Sequence, residues 1–245
     1  MLALVSYDDW RLAAIYDPDN PGGADHDYFR RLADQSGAER IVDLGCGTGS
    51  LTVTLARPGR SVIGIDPAEA MLAYAAARPG GDRVQWRHGT SEQIEADSAD
   101  LIMMTANVAM HIIGSDWDRT LSDIARGLVS GGRLGFESRN PEAEAWRTWN
   151  GPLTERQTPA GRLRESTRTT APDADGVVTM YCHNDFRDAD GVLDVEQKLQ
   201  FRSMHQIATD LDHAGLTLTH VWKDWDTTAF TGGAEQRLMI FEATV

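Results

Sequence analysis

The stretch Arg40-Ile41-Val42-Asp43-Leu44-Gly45-Cys46-Gly47-Thr48-Gly49-Ser50-Leu51 runs from an apolar strand into a loop in which every second residue is glycine. An acid, Asp43, stands two residues before the first of them. Glycines at 45, 47 and 49 let the backbone turn tightly and approach a ligand with no side chain in between. The helix expected from Leu51 to Ala56 turns its free N–H groups toward the same space. A loop of this kind is either a plain tight turn or a seat for a nucleotide-like ligand, and the neighbouring acids favour the seat. A dinucleotide site would lay pyrophosphate over the loop and put a third glycine three positions after the second, where this chain has Ser50. Asp43 would then face phosphate, and like charges about 4 Å apart at an effective dielectric of about 20 repel by roughly 4 kcal/mol. The same carboxylate attracts an ammonium or a sulfonium instead.

About 20 residues past the loop, Ser61-Val62-Ile63-Gly64-Ile65-Asp66 reads as a second apolar strand ending in an acid, the spacing at which a carboxylate takes the hydroxyls of a ribose. The ligand so described has a ribose and a positive charge and lacks a pyrophosphate. With these residues in view, Val42 to Gly49 resembles the first motif of the class I S-adenosylmethionine-dependent methyltransferases. Gly64-Ile65-Asp66-Pro67-Ala68-Glu69-Ala70-Met71-Leu72 resembles their second. The resemblance runs from residue 40 to about 138. It implies that Asp43, Gly45, Gly47 and Gly49 hold the methionine part of S-adenosyl-L-methionine, that Asp66 holds the ribose, and that Pro67 and Met71 cover one face of the adenine. At the third motif, His88-Gly89-Thr90-Ser91-Glu92 departs from the pattern: Thr90, with Ser91 beside it, stands where the family has an acid for the adenine amino group. A hydroxyl, a backbone carbonyl or Glu92 reaching back would have to serve there.

The formal net charge of −14 argues against nucleic acid, because binding a phosphate backbone needs a cationic surface. The acceptor expected is a small molecule. With 245 residues and 41% hydrophobic content the chain suits one large α/β domain, or one domain with an insertion. Two cysteines, Cys46 and Cys182, give no disulfide framework or metal-ligand spacing, so no metal is expected. The start, Met1 to Asp9, lacks the basic opening and long apolar core of a signal peptide, and no segment is apolar enough to span a bilayer; a cytoplasmic protein without membrane contact is expected. Nothing in the sequence fixes an oligomeric state.

Strand and helix patterns alternate as far as Ser138. Helices are expected over Asp27–Ser36, Ala68–Arg78 and Asp116–Val129, and further strands over Arg83–His88, Ala99–Thr105 and Arg133–Ser138. Beyond Ser138 the rhythm breaks. Two period-two runs flank the turn signal Asp188-Ala189-Asp190-Gly191 and predict an antiparallel hairpin. Ser203-Met204-His205-Gln206 has the form of a capping box, and the helix it starts should stop near Gly215. Leu216–Trp222 and Arg237–Val245 would close the sheet. The expected fold is therefore α/β, doubly wound and Rossmann-like, with a mainly parallel seven-stranded sheet and an antiparallel β insertion after strand 5. Residues 1–138 and 203–245 would form the cofactor-binding methyltransferase domain, and 139–202 a lid or substrate insertion.

Ligands of such sheets sit at the C-terminal ends of the strands, where Thr105 to His111 leaves the fourth strand. If that segment is helical, Asn107 and His111 share a face. His111 is the candidate catalytic base, the other reading being an ordinary hydrogen-bonded histidine; Asn107 is assigned to the cofactor or substrate site. Tyr7 and Tyr16 precede the first expected helix, where the family often has an aromatic closing over the cofactor, and Tyr16 is taken as cofactor-binding; packing is the alternative. Trp146 and Trp149, with Trp222 and Trp225, form either an aromatic wall for the acceptor or part of the core. Arg139 meets either an acidic substrate group or Glu137. The function expected is methyl transfer to a small-molecule acceptor, oxygen preferred over nitrogen because a base is at hand. An NAD(P)-dependent oxidoreductase, disfavoured by Asp43 and Ser50, and a catalytically idle S-adenosylmethionine-binding regulatory protein are the alternatives.

Overall fold

The computed structural model describes residues 7–189 and 191–245. The reading of Met1–Ser6 and the Asp190 position of the expected turn lie outside these residues. Strands β1 (Arg40–Leu44), β2 (Ser61–Asp66), β3 (Gln85–His88), β4 (Ala99–Met104) and β5 (Leu128–Arg139) pair in parallel. The antiparallel β10 (Thr217–Trp222) and β11 (Leu238–Thr244) complete a seven-stranded sheet of order β10-β11-β5-β4-β1-β2-β3. Strand order reverses between β1 and β4, which opens a crevice beyond their C-terminal ends.

The continuous apolar character of β4 has its cause in burial on both faces. Leu101 and Met103 pack with Phe29 and Leu32 of α2 (Ala24–Gln35). Ile102 and Met104 pack with Trp117 and Leu121 of α6 (Ser115–Gly127) and Leu211 of α7 (Met204–His213). Strand β5 begins at Leu128, five residues before the expected start. Leu128 pairs with Ala99, the chain bulges through Ser130-Gly131-Gly132, and pairing resumes with Arg133 opposite Leu101. The expected turn is a bulge within the strand. At α7 the capping box is complete: Ser203 Oγ accepts from the Gln206 N–H, and the Gln206 side chain accepts from the Ser203 N–H.

The segment after β5 holds more order than the expected hairpin. Strands β6 (Gly151–Thr158), β7 (Gly161–Thr169), β8 (Val177–Phe186) and β9 (Val192–Gln200) form a consecutive antiparallel sheet. Only β8 and β9 carry a clear alternation. In β6 and β7 most side chains are exposed or half-buried, Thr158 and Leu163 being the buried ones, so no period-two signal was present to read.

A second difference is the helix α1 (Trp10–Asp19), which places Tyr16 inside a helix and leaves only Tyr7 ahead of the first one. Asp9 caps it, accepting from the Arg11 N–H at 2.9 Å. Leu12 and Ile15 pack against Leu163, Phe186 and Val195 of the four-stranded sheet. Ala13 packs against Ala68 and Met71, the latter on α4 (Glu69–Ala77). A helix gripped from two sides has no broad polar face, and Pro18 in its last turn masks it further.

Candidate active site

After β1 the glycine loop folds back on β2, with the N–H groups of Gly45 and Cys46 donating to the Ile65 carbonyl at 2.7 and 3.1 Å. Gly45, Gly47 and Gly49 all have left-handed backbone, φ 76°, 53° and 70°. They do different work. A Cβ on Gly47 would meet only the Tyr16 ring, at 3.9 Å, whereas one on Gly49 would lie 2.5 Å from Trp86. Gly47 keeps space open for a ligand, and Gly49 lets Trp86 of β3 pack under the loop. Asp66 ties the two motifs together, one oxygen accepting from the Gly47 N–H at 2.8 Å and the other from the Ala68 N–H at 2.9 Å. Burial raises its carboxyl, against the opposing effect of those N–H groups.

Between α1, the loop and the sheet end lies a cavity of about 370 Å³. Tyr16, Gly45, Gly47, Asp66, Pro67 and Met71 line one end, with Thr90 and Ser91 beyond them. Asp43 and Gly49 are absent from its walls. Asp43 sits behind the loop, 1% exposed; its Oδ2 accepts from the Thr52 hydroxyl at 2.6 Å, while Oδ1 is buried with no partner. Burial, aided by the Asp66 charge and opposed by Thr52, pushes Asp43 up to about 6. A buried carboxylate with a free oxygen is costly unless a positive charge comes near. The donor set therefore fits a cationic ribose ligand such as S-adenosylmethionine and is ill suited to a pyrophosphate. In the third motif, the Thr90 hydroxyl donates to Glu92, which is exposed and outside the cavity lining, and the Ser91 hydroxyl donates to Asp123 at 2.7 Å. Both hydroxyl protons are thus committed away from the cavity.

The other end is lined by Asn107, His111, Arg139, Trp149, Gln197 and Leu199. His111 closes the short helix α5 (Val108–His111). Burial pushes its imidazole down to about 4, opposed by a hydrogen bond to the Lys198 backbone, so it is neutral at ordinary pH. Asn107 precedes α5 in left-handed conformation, φ 64°, so the helical face it was expected to share with His111 does not exist. The two meet at the cavity by loop geometry instead.

The aromatic wall reduces to Trp149. Trp146 is buried edge-on against Phe201 at 4.7 Å and packs beside Met110 and Val178. Trp222 and Trp225 belong to the core over α2, with Trp225 5.6 Å from Tyr28. Arg139 donates from Nε to Asn107 Oδ1 at 2.9 Å, and it acts on Glu137 through its charge, lowering that carboxyl, with no hydrogen bond between the two.

Several residues around the site had no role of their own in the sequence reading, where Glu137 entered only as a partner for Arg139. Glu137 of β5 accepts the Asn107 N–H at 2.7 Å, while its other oxygen is buried without a partner, and burial pushes it up to about 7. Its signal is a lone acid in the apolar run Leu134-Gly135-Phe136-Glu137. Arg202 donates to the Ala109 and Ile112 carbonyls at 3.2 and 2.7 Å and stacks over Trp117, holding the end of α5. Asp17 of α1 accepts from the Thr48 hydroxyl and from Arg78, which also donates to the Thr48 carbonyl at 2.6 Å. Gln197 of β9 donates to the Tyr7 hydroxyl at 3.1 Å. Among the described residues no group of three or more His, Cys, Asp or Glu is arranged to hold a metal, and no helix is long and apolar enough to cross a membrane.

Comparison with known proteins agrees with this geometry. Residues 41–132 match the family model described as a methyltransferase domain. An uncharacterized methyltransferase of Mycobacterium tuberculosis is 37% identical over 100 residues, 40% of this chain and 39% of that protein. A ubiquinone biosynthesis O-methyltransferase of Azorhizobium caulinodans is 38% identical over 77 residues, 30% of each chain. The matches thus span well under half of these curated relatives. A crystal structure of an S-adenosylmethionine-dependent methyltransferase from Clostridium acetobutylicum superposes with a TM-score of 0.77 at 16% identity, covering 96% of this chain and 98% of the other. The S-adenosylmethionine-bound amino pentose methyltransferase CalS10 of Micromonospora echinaspora superposes with a TM-score of 0.64 at 21% identity, covering 94% and 96%. Residues 41–132 thus match a methyltransferase-domain model, and the chain shares the overall fold of these S-adenosylmethionine-dependent methyltransferase structures.

Proposed function

We propose that this protein methylates a small-molecule acceptor, using S-adenosylmethionine held between the glycine loop, α1 and α4. The observation that carries the reading is the cavity's mixed lining: Gly45, Gly47 and Asp66 on the β1–β2 side of the sheet end, and His111, Asn107, Arg139 and Trp149 on the side of β4, β5 and the four-stranded sheet. Asp66 would take the ribose, Pro67 and Met71 the adenine face, and Tyr16 would cover the loop, while Asp43 acts through its charge from behind. When bound, the cofactor supplies an electrophilic methyl group on a sulfonium. The chain has to orient the acceptor, keep water out and take up a proton where the acceptor is a hydroxyl. The four-stranded sheet covers the acceptor end, with Leu199 and Gln197 of β9 facing the cavity, which supports its assignment as a lid. His111, neutral and facing the same space, would receive the hydroxyl proton on its imidazole, which favours oxygen as the methylated atom. An amine acceptor is the second reading. It is favoured by the lowered pKa of His111, because a strong nucleophile needs no base of that kind.

Parallel calorimetric titrations with S-adenosylmethionine and NAD test the cofactor, followed by mass analysis of products from a panel of hydroxyl and amine acceptors. Binding of the sulfonium alone, and a gain of one methyl group by an acceptor, are expected. Tighter binding of NAD would overturn the reading. Cofactor binding without turnover on any acceptor would point to a regulatory protein.

A further inference from the structure

Two residues of β5 grip one residue of the loop that follows β4. Glu137 accepts the backbone N–H of Asn107 at 2.7 Å, and Arg139 donates from Nε to the side-chain oxygen of the same Asn107 at 2.9 Å. Asn107 and the preceding Ala106 both lie in the left-handed region, φ 64° and 55°, a conformation that asparagine tolerates and that alanine holds only when its surroundings impose it. The grip from β5 holds the second of these residues by both its backbone and its side chain. Its effect is to fix the Nε edge of the Arg139 guanidinium against the cavity wall.

Among the described residues Arg139 has no ion-pair partner, whereas the other arginine lining the cavity, Arg119, is paired with Asp116 at 2.8 Å. Glu137, the nearby acid on the same strand, has one oxygen committed to the Asn107 backbone, and burial, opposed by that N–H and by the Arg139 charge, pushes it up to about 7, so it offers Arg139 only part of a counter-charge at neutral pH. A guanidinium held by one edge and facing a cavity offers its remaining N–H groups as a planar fork, the shape that carboxylates and phosphates match. We propose that Arg139 is the anion-binding group of this cavity, oriented by Asn107 and through it by Glu137, and that it takes a carboxylate or phosphate of the bound ligand. Two molecules could bring that group: the cofactor, through its methionine carboxylate, or an acceptor that is itself anionic. The acceptor branch rests on the methyl-transfer reading above, and it narrows the acceptor class to small molecules with an acidic group.

The test uses the full chain and calorimetry with three probes: S-adenosylhomocysteine, methylthioadenosine, which has the same nucleoside and thioether without the amino acid, and inorganic phosphate added to protein saturated with S-adenosylhomocysteine. If the anion is the cofactor's, Arg139→Met weakens S-adenosylhomocysteine at least tenfold and leaves methylthioadenosine unchanged. If it is the acceptor's, Arg139→Met leaves both nucleosides unchanged and abolishes phosphate binding. Arg139→Lys, which keeps the charge and loses the fork, should recover part of either effect and substitutes for Arg139→Met should that variant not fold. Glu137→Gln, which still accepts the Asn107 N–H, should retain anion binding, and Glu137→Leu should lose it at comparable melting temperature. Unchanged affinity for all three probes in the folded Arg139 variants, or absence of phosphate binding by wild type together with an unaffected S-adenosylhomocysteine affinity, overturns the proposal. A wild-type chain that binds no nucleoside would refute the methyl-transfer reading. Phosphate titration of the free protein and of Arg139→Met would then still decide the role of Arg139.

Discussion

Two glycines in the same loop separate ligand binding from folding. At Gly47 a Cβ would stand in the cavity, 3.9 Å from Tyr16, and at Gly49 it would collide with Trp86 at 2.5 Å. Both variants carry the left-handed backbone cost of about 1 to 2 kcal/mol. Gly47→Ala should add at least a tenfold loss of S-adenosylmethionine affinity while melting only a few degrees lower. Gly49→Ala should add overpacking of about 1 to 3 kcal/mol and lose mainly stability. Calorimetry beside thermal melts distinguishes them, and an equal loss of affinity in both would mean that the loop acts only as a unit. His111 makes a second residue-scale case. With its imidazole pushed down to about 4, the proton-accepting form is already complete at pH 6, so the acid limb of a pH–rate profile should fall near 4 instead of near the usual histidine value. His111→Ala should remove that limb and lower turnover on a hydroxyl acceptor by about 10² to 10⁴. A limb that survives the substitution belongs to another group. The cofactor end was legible in the sequence because its residues are contiguous, from Val42 to Gly49 and from Gly64 to Leu72. The acceptor end was only half legible. It is assembled from Asn107, Arg139 and Gln197, which no local spacing connects, and Trp146, Trp222 and Trp225 read alike with Trp149 until packing separated them.

Among the elements, α1 is the one on which both ends of the cavity depend. One side lies on the four-stranded sheet, reinforced by Arg156 of β6 reaching Asp19 at 2.7 Å. The other closes over the loop through Tyr16 and through Asp17, which bonds Thr48 and Arg78. Asp17→Ala leaves Arg78 without its carboxylate and removes two hydrogen bonds across the helix and loop, a loss of about 1 to 3 kcal/mol in the closed state. Hydrogen exchange over residues 10–19 should quicken, and S-adenosylmethionine should bind several-fold more weakly. Unchanged exchange would show that packing alone holds the helix. The same position explains why α1 escaped detection, since its buried residues face two different partners. The strands β1, β2, β4 and β5 were readable because burial on both faces leaves an apolar run, and β6 and β7 were not because their faces are largely wet. Sequence patterns report burial, and where an element is buried from two directions or scarcely at all the period disappears.

Across the whole molecule, the buried titratable groups around the cavity oppose one another in their effect on stability. Glu137, pushed up from 4.5 to about 7, and Asp43, from 3.8 to about 6, hold protons more tightly folded than unfolded. Between those values the folded chain carries the extra protons, so stability contributed by these groups falls as pH rises from about 4 to 7. For Glu137 alone the fall is about 3 kcal/mol. His111, pushed down from 6.5 to about 4, has the opposite sign and gains stability over the same window. Two acids outweigh one imidazole, and the formal charge of −14 adds repulsion in the same direction. The ligand-free protein should therefore melt on the order of 5 °C higher at pH 5 than at pH 7.5. Glu137→Gln keeps the hydrogen bond to Asn107 and removes the titration, so its melting temperatures at the two pH values should converge or reverse. S-adenosylmethionine, bringing positive charge beside Asp43, should raise the melting temperature more at pH 7.5 than at pH 5. A pH dependence unchanged by Glu137→Gln would mean that this carboxylate is ionised in the folded protein and has found a cation, for which Arg139, whose charge already acts on Glu137, is the source at hand.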